Sequence, residues 1–337
     1  GINGTSTLDP ESNDRLMTYN DSWLNPYTTY EYDAKTGILS KSKWFDNSGS
    51  YPDYTKDFAV KEDVIRYCEE MLESKAHDVI VFEELLQGEN GKRSEFSLQS
   101  FFDGATICHM PLAQDFKRPR ENDEGPNCGG AGSYSCPDHG LPFLLPEHIR
   151  QAQLLNEQVI RALQNATSEL YRGIIYGSYI LTSKGIYIIE FNVRFADPEG
   201  YNVLTLLATD PFEIFQGIVF SELRAVKSVE FVHKATVCKY IMPDGYPENS
   251  HPNTRIDLES VPRSTDSLKV YFNAIDKEGN LGSSRAIAVV GIADTLEEAA
   301  KIAEGGASSI VAIRGKIYHR KDIPFPDLGR GQVLSVT

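Results

Sequence analysis

The sequence predicts an α+β protein of more than one domain, and three observations carry that reading. The chain has 337 residues, enough for two domains of ordinary size. Alternating runs flanking tight turn signals stand beside stretches of helical apolar spacing. The texture also changes twice, near residue 58 and near residue 234, which separates a segment 1–58, a central domain 59–233, a β-rich subdomain 234–325 and a tail 326–337.

The elements follow in order. Segment 1–58 is rich in Asn, Ser, Thr, Tyr and Asp. Its runs TTYEYD and ILSKSKWF flank AKTG, which predicts a β-hairpin turning at Gly37. VKEDVIRYCEEMLES places Val64, Ile65, Cys68, Met71 and Leu72 at helical spacing. DVIVFEELL reads as a strand with a carboxylate end. The run 95–115 alternates about Asp103-Gly104 and predicts another hairpin. Residues 115–135 form a Gly/Pro-rich loop, long enough to suspect function. Pro146 opens a long helix. GIIYGSYILTSKGIYIIEFNVRF is a pair of strands, and DPFEIFQGIVFSEL an amphipathic helix. Beyond Lys234, strands are expected in ATVCKYIMPDG, LKVYFNAID and RAIAVVGIA, with a helix capped by Asp294.

The bulk numbers exclude some classes. A formal net charge of −15 makes duplex nucleic acid a poor partner. No apolar run approaches the ~20 residues of a membrane helix. Five cysteines without CxxC spacing argue against a zinc site or a disulfide framework and fit reduced thiols in a cytoplasmic protein.

Three constellations could carry chemistry. In EFNVRFADPEG, Glu190, Asn192 and Arg194 are two apart, so an extended chain puts them on one face, with Val193 and Phe195 turned into a core. A carboxylate and an amide there suit Mg²⁺, which takes hard oxygen ligands and is completed by phosphates and water. Arg194 could hold an anion. A solvated edge strand is the alternative. In EGPNCGGAGSYS, Gly125, Gly129, Gly130 and Gly132 would let backbone amides approach an anion, with Lys117 and Arg118 bringing positive charge just before. A surface loop is the plain alternative, and neither Walker nor dinucleotide spacing is present. In VFEELLQGE, a strand ending in Glu83 and Glu84 has the shape of a hinge between lobes.

Taken in order, VFEELLQGE, PLAQDFKR, GPNCGGAGSYS, RGIIYGSYI, IEFNVRFADPEGYNVL, ATVCKY, SRAIAVVGIADTLEEA and GKIYHRKDI resemble the phosphoribosylamine–glycine ligases of archaeal type, from about residue 60 to 323. The resemblance implies an ATP-grasp-like lobe with a C-terminal β-rich subdomain. It also implies ligation of glycine to 5-phosphoribosylamine through a glycyl phosphate in purine biosynthesis, with ATP and Mg²⁺. On the family's motifs, Glu190 and Asn192 match metal ligands, and Arg194, Asp197 and Lys117 catalytic polar groups. Glu83, Glu95, Asn127, Gly129 and Gly130 match nucleotide-side positions, with ENGKR inserted before Glu95. Arg118 and Arg285 match substrate-side ones.

Against the family pattern, the opening nucleotide-fold domain and the glycine-rich ATP loop of the small lobe have no counterpart in residues 1–60. No motif selects Lys43, Lys56 or Lys61 as the ATP lysine. The chain then reads as one piece of a larger or split enzyme whose lobe a second chain supplies, as a fragment, or as a non-catalytic relative. In the last case it would be a structural protein that self-assembles through residues 1–58 by strand addition.

Overall fold

A computed structural model of the chain describes residues 94–325, apart from 227 and 252, and before them the stretches 14–18, 29–33, 41–43, 56–57, 65–69, 81–83 and 86–89. The chain divides into two units, Gly1–Leu86 and Gln87–Thr337.

In the first unit, β1 (Asp14–Thr18) pairs antiparallel with β2 (Thr29–Asp33). Strand β3 (Lys41–Lys43) lies between β4 (Lys56–Asp57) and β5 (Val81–Glu83). The strands flanking AKTG therefore pair elsewhere, β2 with β1 and β3 with β4 and β5, and the turn residues 34–40 lie outside the described residues. Residues 65–69 are the described part of the helix expected over 60–74.

The second unit is built on a nine-stranded sheet. Its strands are β6 (Glu95–Phe102), β7 (Ile107–Asp115), β8 (Gly132–Ser135), β9 (Gly173–Thr182), β10 (Gly185–Asn192), β11 (Ala235–Pro243), β13 (Leu268–Phe272), β14 (Ile287–Ala293) and β16 (Ile317–Tyr318). The order is β10-β9-β6-β7-β8-β11-β14-β13, with β16 beside β11. A small pair, β12 (Arg255–Ile256) with β15 (Ala312–Arg314), stands apart. All of these ladders are antiparallel. The hairpins expected at Asp103-Gly104 and Ser183-Lys184-Gly185 are the β6–β7 and β9–β10 connections.

Strand β8, inside the stretch read as loop, is what the sequence hid. Its four residues GSYS are all buried and pair with both β7 and β11. They join the central strands to those after residue 234 in one sheet. The texture change near 234 is thus not a break in contacts, and the division into two units falls between Leu86 and Gln87.

Helices cover the sheet. On one face α1 (Pro146–Thr167) sets Ala152 against Phe96, Leu98, Tyr179 and Leu181. Its buried Asn156 donates to the Leu98 carbonyl and to Ser100 Oγ and accepts from the Tyr179 hydroxyl, so no polar atom of that amide is left bare in the core. The helix α4 (Leu296–Ser309) packs on β11 and β14 through Ala299 and Ala303. Its cap is Thr295, whose Oγ1 accepts from the Glu298 amide, while Asp294, the cap expected from sequence, pairs with Lys234 at 3.1 Å. On the opposite face α2 (Glu199–Thr205) and α3 (Pro211–Phe220) bury Val203, Ile214 and Ile218 against Phe101, Met110 and Ala113. Next to them, β6, β9 and β10 turn polar side chains to that face.

Candidate active site

The polar face follows from register. Glu190 stands opposite Ser178 and Asn192 opposite Tyr176 on β9. Ser178 and Tyr176 stand opposite Ser97 and Gln99 on β6. Side chains alternate along each strand, so these six share one side, while Leu98 and Tyr179 point into the α1 core. The Asn192 amide donates to Glu190 Oε1 at 3.1 Å, and both side chains are half-buried. The two expected metal-ligating groups are therefore adjacent, and both offer hard oxygens.

The strand ends at Asn192, and its register slips between Ile188 and Glu190. The alternation that put Arg194 on the same face stops there. Arg194 is exposed, with Nη1 on the Phe195 carbonyl. Val193 is 68% exposed instead of buried; Phe195 does reach the α2–α3 core.

Beside the face, Lys117 Nζ lies 3.0 Å from Glu95 Oε2. The loss of water around Lys117 disfavours its charge, but Glu95 and Asp115 more than offset this and hold the ammonium well above the usual lysine range. Next to it, Tyr176 donates its hydroxyl to Glu199 Oε1 at 3.1 Å. Glu199 is 2% exposed. Burial first, then the Asp115 charge, push its carboxyl up to about 7. Sequence reasoning passed over Glu199, because a Glu after Asp-Pro at a helix start normally faces water. The Tyr176–Ser178 alternation in RGIIYGSYI was the signal that this face is polar.

The glycine loop is docked on protein. Gly130 has φ +100°, and a Cβ there would lie 2.6 Å from Pro198 Cδ. A Cβ on Gly129 would meet Arg285 Nη2 at 2.9 Å. Arg285 donates Nη1 to the carbonyls of Gly129 (2.6 Å) and Gly130 (3.2 Å), and Nη2 to Asp197 Oδ2 (3.0 Å). Its guanidinium stacks 4.7 Å over the Tyr240 ring, and the Tyr240 hydroxyl donates to Asp197 Oδ1 at 2.6 Å. Burial opposes the Arg285 charge, and Asp197 outweighs it. Its buried Nε has no hydrogen-bond partner among the described residues. Asp197 and Arg285, expected to serve chemistry and substrate, are thus engaged with each other. Arg118 places Nη1 on the Gly125 carbonyl, 2.7 Å away, and Asn127 is half-buried in the same loop. Glu83 ends β5, and its side chain lies outside the described residues.

Among the described residues no three His, Cys, Asp or Glu side chains group as metal ligands. A metal held here would need most of its ligands from a bound nucleotide and water. The described cysteines are all free thiols. No described helix is long and apolar enough to cross a membrane.

Two family models match: "Phosphoribosylglycinamide synthetase, ATP-grasp (A) domain" over residues 57–200, and "Phosphoribosylglycinamide synthetase, C domain" over residues 236–325. The chain belongs to the phosphoribosylglycinamide synthetase family. It is 42% identical over 268 residues to the phosphoribosylamine–glycine ligase of Methanocaldococcus jannaschii, an alignment covering 78% of this chain and 58% of that protein. The enzyme of the same name from Methanocella arvoryzae is 32% identical over 349 residues, covering 96% of this chain and 76% of that one. That alignment takes in most of residues 1–58, so the divergent segment has a counterpart in a synthetase. The chain spans a little over half the length of several curated relatives it matches.

Among solved structures, the phosphoribosylamine–glycine ligase of Thermotoga maritima shares the fold with a TM-score of 0.66 at 24% identity, over 84% of this chain and 68% of that one. Biotin carboxylase of Campylobacter jejuni does so with a TM-score of 0.60 at 13% identity, over 85% and 60%. The α+β expectation with an ATP-grasp lobe holds: these synthetase domains form a helix-covered antiparallel sheet.

Proposed function

We propose that this chain carries the ATP-grasp and C-terminal parts of a ligase that joins glycine to 5-phosphoribosylamine at the expense of ATP, in purine biosynthesis. The observation that carries the reading is the Glu190–Asn192 pair on a polar sheet face beside the Lys117–Glu95 pair, within the segment matched by the synthetase ATP-grasp model.

The chemistry has two displacements. A carboxylate oxygen of glycine attacks the γ-phosphorus of ATP and ADP leaves. The amine of phosphoribosylamine then attacks the acyl carbon, phosphate leaves, and the nitrogen gives up a proton as the amide forms. Such reactions depend mostly on positioning and charge neutralisation.

The residues fit those tasks. Glu190 and Asn192 present one carboxylate and one amide oxygen, a donor set suited to Mg²⁺. That ion, when bound, would neutralise and orient the nucleotide phosphates. Lys117 supplies a fixed ammonium at the edge of the face, and Glu95 holds its direction. Arg194 is exposed two residues past the end of β10, where an anionic group of a substrate can reach it. The Asp197–Arg285 pair keeps the glycine loop against Pro198, so its amides are presented from a fixed position.

The test is calorimetric titration of Mg-ATP into the chain and into Glu190→Gln with Asn192→Ala, followed by ADP release with glycine and phosphoribosylamine together and singly. The reading expects micromolar binding lost in the double variant, at most a single turnover of ADP with glycine alone, and multiple-turnover ADP release only with both substrates. Binding indifferent to both substitutions, or multiple-turnover ADP release that the amine does not speed, defeats it.

A further inference from the structure

The geometry points to Arg320 as the positioning residue of the 117–131 loop: from beyond β16 it fixes the segment that carries Lys117 to the edge of the polar face. Its side chain is fully buried. Nε and Nη2 form a two-pronged pair with Asp322, at 2.9 and 2.6 Å. Nη1 reaches across to the Arg118 carbonyl at 3.0 Å and to the Asp123 carboxylate. The guanidinium lies 5.1 Å from the centre of the Phe116 ring.

The same segment is gripped elsewhere by the same pair. Asp322 Oδ2 accepts from the Asn122 amide at 2.9 Å. Asn122 and Asp123 are consecutive left-handed residues, with φ 58° and 57°. Asn and Asp tolerate that conformation better than other side chains, but it is seldom held without support. The support comes from about two hundred residues further along the chain. At the neck of the loop, Cys128 N donates to the Lys117 carbonyl (2.8 Å) and Ala131 N to the Phe116 carbonyl (2.7 Å). Phe116, under the Arg320 guanidinium, is thus also the hinge from which Lys117 projects.

A lysine could supply charge here but not the fork, since only a guanidinium can serve Asp322, Asp123 and the Arg118 carbonyl at once. The role of Lys117 rests on the ligase reading; the hold on the loop does not.

The loop contains its own probe, the exposed Arg120. Limited trypsin digestion well below the unfolding temperature should cut after Arg120 at least tenfold faster in Arg320→Met and in Asp123→Asn than in the unsubstituted chain, with Arg320→Lys between. Cleavage outside the 117–131 loop and away from position 320 should keep its rate. Unchanged cutting after Arg120, or equal acceleration at every site, overturns the assignment. Asp123 is part-exposed, so Asp123→Asn carries this arm if Arg320→Met does not fold. Mg-ATP affinity supplies the second arm: Arg320→Met should weaken binding, yet add less than twofold once Lys117→Met is present. Full additivity overturns the link to Lys117. Absence of nucleotide binding in the unsubstituted chain defeats the ligase reading and leaves the trypsin result to decide the role of Arg320.

Discussion

Asp197→Asn separates the two jobs the Asp197 carboxylate could have. In the structure it accepts from Arg285 Nη2 at 3.0 Å, from Arg285 Nη1 at 3.3 Å and from the Tyr240 hydroxyl at 2.6 Å. Asparagine keeps the volume and one acceptor, but turns an NH₂ group toward donors. Removing one partner of a buried ion pair costs about 3–5 kcal/mol. Asp197 is 35% exposed, and Arg285 Nη1 still has the carbonyls of Gly129, Gly130 and Asp197, so the cost falls at or below the bottom of that range, roughly 2–3 kcal/mol. For a unit of this size that lowers the melting midpoint by roughly 5–10 °C. The loss is also local. Amides of residues 128–131 should exchange with deuterium roughly 30–100 times faster, because each ~1.4 kcal/mol is a factor of ten. Thermal unfolding followed optically and exchange read by mass spectrometry measure both. A midpoint within ~2 °C of the original, together with unchanged exchange at 128–131, would refute the latch and return Asp197 to a purely chemical role.

Other consequences are as direct. Lys239, 1% exposed in its side chain, places Nζ 2.7 Å from Glu304, which also accepts from His319 and Ser308. Burial opposes the Glu304 charge, but the His319 and Lys239 hydrogen bonds outweigh it, so its folded-state pKa is depressed. Its contribution is therefore present above about pH 4.5 and lost as pH falls below that; Glu304→Gln should cost roughly 2–4 kcal/mol at pH 7 in urea titrations, and less at pH 3. Glu199 has the opposite sign: its raised pKa makes its stabilising share complete below about pH 4.5 and lost as pH rises toward 7. Glu199→Gln should then gain on the unsubstituted chain by a few kcal/mol above pH 7, and a flat difference from pH 4 to 8 would count against it. Gly130→Ala, at φ +100° and facing Pro198, should destabilise by roughly 1–3 kcal/mol. Gly305→Ala, in α4 with open space around it, should stabilise by about 0.5–1 kcal/mol.

What the sequence revealed of this site depended on distance along the chain. Glu190 and Asn192 were legible because strand alternation is local, and the hairpins around them were legible because turn residues mark themselves. Arg194 was misplaced because alternation cannot announce that a strand ends two residues earlier. Strand β8 was missed because Gly132-Ser-Tyr-Ser has no apolar run; it is buried by pairing on both sides, with Tyr134 in the core and Ser133 and Ser135 hydrogen-bonded to Asn202 and the Leu112 carbonyl. Arg285 was singled out by motif, yet its partner Asp197 lies 88 residues before it, and no periodicity links them.

The same reasoning explains the glycines of the loop. Loose spacing without a Walker pattern was weak evidence for an anion cradle. The structure supplies another reason for two of them: Gly129 and Gly130 leave room for Arg285 and Pro198. A loop built that way is held from outside the nucleotide lobe, by arginines at 285 and 320 in the segment that the synthetase C-domain model covers. In this chain the C-terminal segment therefore does more than extend the sheet: Arg285, just before β14, and Arg320, just beyond β16, hold the loop that carries Lys117, and these two guanidinium groups are what the loop depends on. Deleting them should cost nucleotide affinity even though Glu190 and Asn192 lie outside that segment.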